Sequence, residues 1–224
     1  MQVTEVTDFG LRSAVLTLAR TGSPLRFVLF PMVHIGMPSF YQQVARRLAG
    51  YDLIVAEGYD GPSSTGLAYA IAFRLTRQRG AARVVHQDIN YDALGVPVVW
   101  PERLVRDGRR DRLPWYGWLD VLFLIPVLTV TAAVGGRNRF LRRTAEISDD
   151  SEFRIRFLQK MLVNDRDEEL LAELARIHDE CGHEAMQVAV VYGAGHMPAV
   201  IQTLRERYGY RVLRGAEWLD VVEV

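Results

Sequence analysis

Apolar positions along the chain change rhythm from one segment to the next, and each rhythm predicts an element. Leu11 to Ala19 and Arg26 to Phe30 are β-rich runs on either side of Thr21, Gly22, Ser23 and Pro24, which predicts two strands joined by a turn. After Pro38 and Ser39, Tyr41 to Leu48 is expected as a short helix. Asp52 to Ala56 is a compact apolar strand, and Thr65 to Arg79 sets Leu67, Ala70, Ile71, Leu75 and Arg79 at helical spacing. Arg83 to His86 reads as a further short strand. Towards the C-terminus, Leu170, Leu171, Leu174 and Ile177 make Glu168 to His178 an amphipathic helix. Gln187 to Tyr192 is a buried strand, Ala199 to Tyr208 a helix ended by Gly209, and Arg211 to Leu213 and Trp218 to Val222 closing strands. Strands alternating with helices predict the α/β class, with a mixed, largely parallel sheet flanked by helices.

The middle breaks this rhythm. Pro114 to Val134 is apolar apart from Asp120, with Arg103, Arg106, Arg109, Arg110 and Arg112 before it and Arg137, Arg139, Arg142 and Arg143 after it. Its uncharged part, Val121 to Gly136, is slightly short for a spanning helix and contains Pro126. Three readings stand side by side: a buried or homodimer-forming helix, an interfacial or re-entrant membrane contact, and a true span. Arginines on both flanks give the positive-inside rule nothing to orient. At 224 residues the expectation is one domain, 1–224, with a hydrophobic helical insertion at about 100–145.

A 49% hydrophobic and 24% charged composition excludes a disordered or low-complexity chain. Lys plus Arg equals Asp plus Glu at 27 each, so no whole-chain field draws in nucleic acid, and none is expected as a partner. Cys181 is the single cysteine and the N-terminus lacks a basic-then-apolar secretory pattern, which together favour a reducing cytoplasm, with membrane association through the apolar middle as the variant.

Three apolar strands end in residues able to do metal or proton chemistry. FVLFPMVHIG ends at His34, DLIVAEGYD at Glu57 and QVAVVYGAGHM at His196. Ligands of open α/β sheets gather beyond the carboxyl ends of strands, so parallel pairing would bring the three to one edge. Gly193 and Gly195 in GAGH are expected to allow a tight turn and close approach of a substrate. His196 would then stand at a helix N-terminus, whose free N–H groups disfavour a protonated imidazole. Neutral imidazole is the form that binds metal. Each of the three residues taken singly is as well explained as a satisfied turn or core residue; their agreement at three strand ends is what points to a site. Glu57, if buried, needs a cation or an arginine such as Arg166.

These residues resemble the pattern of the TraB/PrgY/Tiki (GumN-like) family, which is similar in outline to the erythromycin esterase and ChaN-like superfamily. The features are an early GxxH-type motif, here PMVH at Pro31 to His34, then Glu57 in VAEGYD, Arg166 in NDRDEEL, and an intact GxxH, GAGH, at Gly193 to His196. Pro31 replaces the first glycine and has no N–H to offer. The resemblance covers roughly Arg26 to Tyr210 and implies a metal-assisted hydrolase of an amide or ester bond, the substrate a peptide or small molecule. Two histidines and a carboxylate suffice for a catalytic divalent ion, and ligand type does not choose among Zn, Mn, Co or Fe. The alternatives are metal-free hydrolysis, with His34 or His196 activating water and Glu57 orienting it, and a module that binds or sequesters a peptide without turning it over.

Arg166 reads as a clamp for a substrate carboxylate, a stabiliser of developing charge or a partner of Glu57, against plain solvation at a helix end beside Asp165 and Asp167. His86, Gln87 and Asp88 follow a strand and could add a ligand or an acceptor behind one. Cys181 and His183 flank Gly182 as they would in a helix-ending turn, which outweighs a nucleophile pair, and His178 reads as a surface or core residue. No GxSxG elbow, Walker loop or dinucleotide fingerprint occurs.

Overall fold

The segment QVAVVYG has no polar residue between Gln187 and Gly193, as a strand covered on both faces requires, and it forms the centre of the sheet. The computed structural model describes residues 2–7, 9–58, 84–87, 89–101, 165–213 and 215–223. Ten strands lie among them: β1 (Thr4–Thr7), β2 (Gly10–Arg20), β3 (Ser23–Met32), β4 (Ile35–Gly36), β5 (Leu53–Ala56), β6 (Val85–His86), β7 (Val98–Val99), β8 (Gln187–Gly193), β9 (Arg211–Val212) and β10 (Glu217–Glu223). The three α-helices among the described residues are α1 (Pro38–Leu48), α2 (Asp165–Cys181) and α3 (Met197–Tyr208).

The sheet is mixed, and its two kinds of pairing are segregated. Along the order β3-β8-β5-β7 every pair is parallel, with Leu29 and Val55 both level with Val190. Around β2 every pair is antiparallel, with β1, β3, β9 and β10 as its partners. The expected parallel strands are therefore present, and the chain's first and closing strands add an antiparallel half. Gly10 is required where β10 crosses: its φ is +149°, and a Cβ there would lie 1.9 Å from the Val222 carbonyl oxygen.

Alternation along the strands sends side chains into two cores, one on each face. Val188, Val190 and Tyr192 join Leu170, Leu174 and Ile177 of α2 and Met197, Val200 and Leu204 of α3. Ala189 and Val191 face the other way, with Phe40, Tyr41, Val44 and Leu48 of α1 and Leu219 and Val221 of β10. Each fully buried aliphatic side chain contributes about 1.5–3 kcal/mol by leaving water. The register of β5 on β8 is set at its start by a reciprocal pair: Asp52 N–H donates to the Gln187 carbonyl at 3.1 Å, and Gln187 N–H to Asp52 Oδ2 at 2.8 Å.

Pro31 lies within β3 where antiparallel pairing with β2, which reaches Leu29, has ended, so its missing N–H leaves no gap in that ladder. Its carbonyl accepts the buried Ser13 hydroxyl at 2.5 Å. The expected helix Thr65 to Arg79 and the apolar stretch Pro114 to Val134 lie outside the described residues. Among the described residues no helix is long and apolar enough to cross a membrane.

Candidate functional site

The parallel strands β3, β8 and β5 end together, with Met32 level with Gly193 and Ala56 level with Val191. The ladder runs one step past β5, where Glu57 N–H donates to the Val191 carbonyl at 3.0 Å. Its side chain then turns across to β8, and Glu57 Oε2 accepts the Gly193 N–H at 2.8 Å. Beyond Gly193 the chain makes a 3₁₀ turn, Ala194–His196, that leads directly into α3 and delivers the imidazole beside this carboxylate. His196 Nε2 lies 3.8 Å from Glu57 Oε1, and the two side chains are only 10% and 8% exposed.

A third group completes the arrangement. Asp167, in the first turn of α2, brings Oδ1 to 2.7 Å from His196 Nδ1. A carboxylate accepts, so Nδ1 carries the hydrogen of this bond. The edge of the buried Tyr192 ring meets His196 at 5.8 Å and 82°, which restrains the imidazole from a second direction.

Tyr91 borders the same carboxylate. It opens a 3₁₀ turn, Tyr91–Leu94, that Asn90 caps by accepting the Ala93 N–H, and its ring packs edge-on against Trp100. Burial first, and then the negative charge of Glu57, hold the Tyr91 phenol above its ordinary range, while a hydrogen bond from Gln87 works in the opposite direction. At neutral pH Tyr91 is therefore a hydroxyl beside Glu57, able to donate. Gln87 links it to the first motif, since Gln87 N–H donates to the His34 carbonyl at 2.8 Å, next to the antiparallel pair β4–β6.

The sequence expectations fare unevenly at this edge. Glu57 and His196 come together. His34 stands at the same edge, two residues past Met32, with an exposed side chain. Among the described residues no three His, Cys, Asp or Glu side chains are grouped so as to hold a metal. Asp88 lies outside the described residues, as do the side chains of His86 and Arg166; the Arg166 backbone is the second residue of α2. Gly193 and Gly195 both avoid the positive φ that a glycine turn would need. Gly193 has φ −49°, and its function is space: a Cβ there would meet Glu57 Oε2 at 3.3 Å. His196 is itself buried rather than facing open solvent.

Cys181 ends α2, at the opposite end from Asp167, and burial followed by nearby carboxylates pushes its thiol up, away from nucleophilic thiolate. His183 is 79% exposed. His178 is pinned: Arg20 donates to Nε2 at 3.1 Å, leaving Nδ1 to donate to Tyr210 Oη at 3.0 Å. A groove of about 680 Å³ along α3, lined by Leu18, Ile201, Arg205 and Val212 among others, includes neither Glu57 nor His196.

Asp167 and Tyr91 were not singled out by the sequence reading. Asp167 had a signal: it lies three residues before Leu170, on the buried face of an otherwise amphipathic helix. Tyr91 had none beyond its closeness to the His86–Asp88 cluster. Comparisons of the chain with protein-family models, with curated proteins and with solved structures gave no match.

Proposed function

We propose that the chain is a hydrolase of an amide or ester bond, built on a TraB/PrgY/Tiki-like plan with an erythromycin esterase- and ChaN-like sheet. The observation that carries this reading is the approach of His196 Nε2 to Glu57 Oε1, 3.8 Å apart and nearly buried, at the carboxyl edge of parallel strands. That separation is too long for a hydrogen bond and near the roughly 3.4 Å between two ligands of one tetrahedral ion. The pair would suit a divalent cation such as Zn, Mn or Co, held by His196 and Glu57, with His34 assigned as a further ligand that would have to move in to complete the set. When bound, such an ion supplies Lewis-acid polarisation of the scissile carbonyl and acidifies water.

The chain's own residues do the rest. Glu57 Oε2 is anchored by the Gly193 N–H, which fixes the orientation of the carboxylate. Tyr91 offers a neutral hydroxyl towards developing negative charge, and Arg166 is assigned to the substrate's anionic end. The 2.7 Å contact between Asp167 and His196 equally favours a second reading, in which His196 is a general base for water without any metal. The lone Cys181 agrees with action in a reducing cytoplasm.

The deciding experiment joins calorimetric titration with Zn, Mn and Co to a turnover screen over peptide, amide and ester libraries. Stoichiometric binding with metal-dependent turnover supports the first reading, and turnover that survives chelation supports the second. Ligand recovered intact after long incubation, with no turnover across the libraries, would replace both by a sequestering module.

A further inference from the structure

Asp167 stands where a helix of this kind ordinarily places an aliphatic residue. Asp167, Leu170, Leu174 and Ile177 follow helical spacing along one face of α2, and the last three are at most 2% exposed. A carboxylate on that face requires a partner. Its partner is His196 Nδ1, with the Asp167 side chain 15% exposed. Because the carboxylate takes the Nδ1 hydrogen, a neutral His196 has its lone pair on Nε2, and that lone pair faces Glu57 Oε1, itself only an acceptor.

We infer that Asp167 is a positioning residue: it fixes the Nδ1–H tautomer of His196 and so aims the Nε2 lone pair at the point that Glu57 Oε1 also faces. The inference rests on the site reading given above and adds a residue to it. α2 has the structural means to hold Asp167 in place, since its buried face is packed on the sheet and His178, near its far end, is tied to Arg20 and Tyr210. The position of Asp167 in the first turn also suits a carboxylate, which the partial positive charge of a helix N-terminus favours.

The test uses ¹⁵N-histidine-labelled full chain, free of metal, in mildly alkaline buffer, with the His196 ring assigned by difference against His196→Gln. The wild-type ring is expected to show one dominant tautomer, with the hydrogen on Nδ1. In Asp167→Asn the amide can donate to Nδ1 instead, so the hydrogen moves to Nε2 in a measurable share of molecules. Asp167→Glu is expected to restore the Nδ1–H form in part. Titration with Zn²⁺ alone supplies the second readout: affinity should fall by about 10–100-fold in Asp167→Asn, the range seen when a carboxylate behind a metal-binding histidine is lost. A wild-type ring carrying its hydrogen on Nε2, or a tautomer and zinc affinity both unchanged in Asp167→Asn, overturns the inference. If Asp167→Asn does not fold, the wild-type tautomer still decides. Failure of the wild-type chain to bind zinc would sink the metal reading of the site, yet a tautomer shift in Asp167→Asn would still establish Asp167 as the residue that orients His196.

Discussion

Adding one methyl group at Gly193 probes the site without removing any of its chemistry. Gly193 has φ −49° and ψ 139°, a conformation open to any L-residue, so alanine there brings no backbone strain. The cost is steric: the new Cβ would sit 3.3 Å from Glu57 Oε2 and 3.5 Å from His196 Cδ2, and the carboxylate must withdraw by a few tenths of an ångström. That oxygen accepts the Gly193 N–H at 2.8 Å. A hydrogen bond to a charged group contributes about 1.5–3 kcal/mol, and a small displacement weakens it by part of that, on the order of 1 kcal/mol. Replacing glycine with alanine stabilises by about 0.4–1 kcal/mol through the unfolded chain. The two effects nearly cancel, so denaturant titration should place Gly193→Ala within about 1 kcal/mol of wild type. The displaced carboxylate should nonetheless lower zinc affinity and turnover about tenfold, since catalytic geometry is sensitive well below 1 Å. Gly195→Ala is the matched control, because a Cβ there meets nothing within 4 Å and should leave zinc affinity intact. Equal losses of zinc affinity in the two variants, or none in Gly193→Ala, would refute the idea that Gly193 keeps space for Glu57.

The same structure supports three further expectations. His196→Ala should abolish zinc binding and turnover but keep a cooperative melt, losing about 1–3 kcal/mol because Asp167 is left without its partner; adding Asp167→Ala should recover part of that loss, and strict additivity of the two would argue against the contact. Val190→Asp places a carboxylate at a fully buried position between β3 and β5 and should remove the cooperative transition altogether, as seen by circular dichroism; a folded variant would contradict the sheet order. Burial, and then the Arg20 charge, hold His178 below its ordinary 6.5, so the unfolded chain binds this proton more readily than the folded one. Stability from this group is therefore present above pH 6.5 and declines as pH falls through its lowered value, and His178→Phe should flatten that part of a plot of melting temperature against pH.

The long strands were legible because their covering is written into them. Val188 to Tyr192 is apolar at successive positions, which only a strand buried on both faces needs, and Leu170, Leu174 and Ile177 mark one face of α2. The pairs β4–β6 and β5–β7 were not legible as pairs, since β4, β6 and β7 are two residues long, carry no period and exist through their partners, as Ile35 does opposite His86. The site was legible as a location: topology alone takes Glu57 and His196 to one edge. The presence of Asp167 beside His196 was not, because it arrives from the first turn of a helix rather than from a strand end. The role given to Gly193 also changed, from a turn requirement to room for a carboxylate.

The strand β10 has a bearing on how the site comes into being. Its pairing of Glu217 with Val15 joins residues separated by most of the chain, and closing so long a loop is slow relative to local helix and hairpin formation. β10 also reaches the first motif: the Val221 carbonyl accepts the Met37 N–H at 2.8 Å, three residues after His34, and the Val221 side chain leaves no room for a Cβ at Gly36. During synthesis the segment bearing His34 is made early, but the strand that holds it in place is made late. The hairpin of β2 and β3 pairs segments close in sequence, whereas the loop that follows takes one of its anchors from β10, at the far end of the chain. A chain ending before Glu217 would lack the Val221 carbonyl that accepts the Met37 N–H, so the loop after His34 would lose that anchor beside the edge.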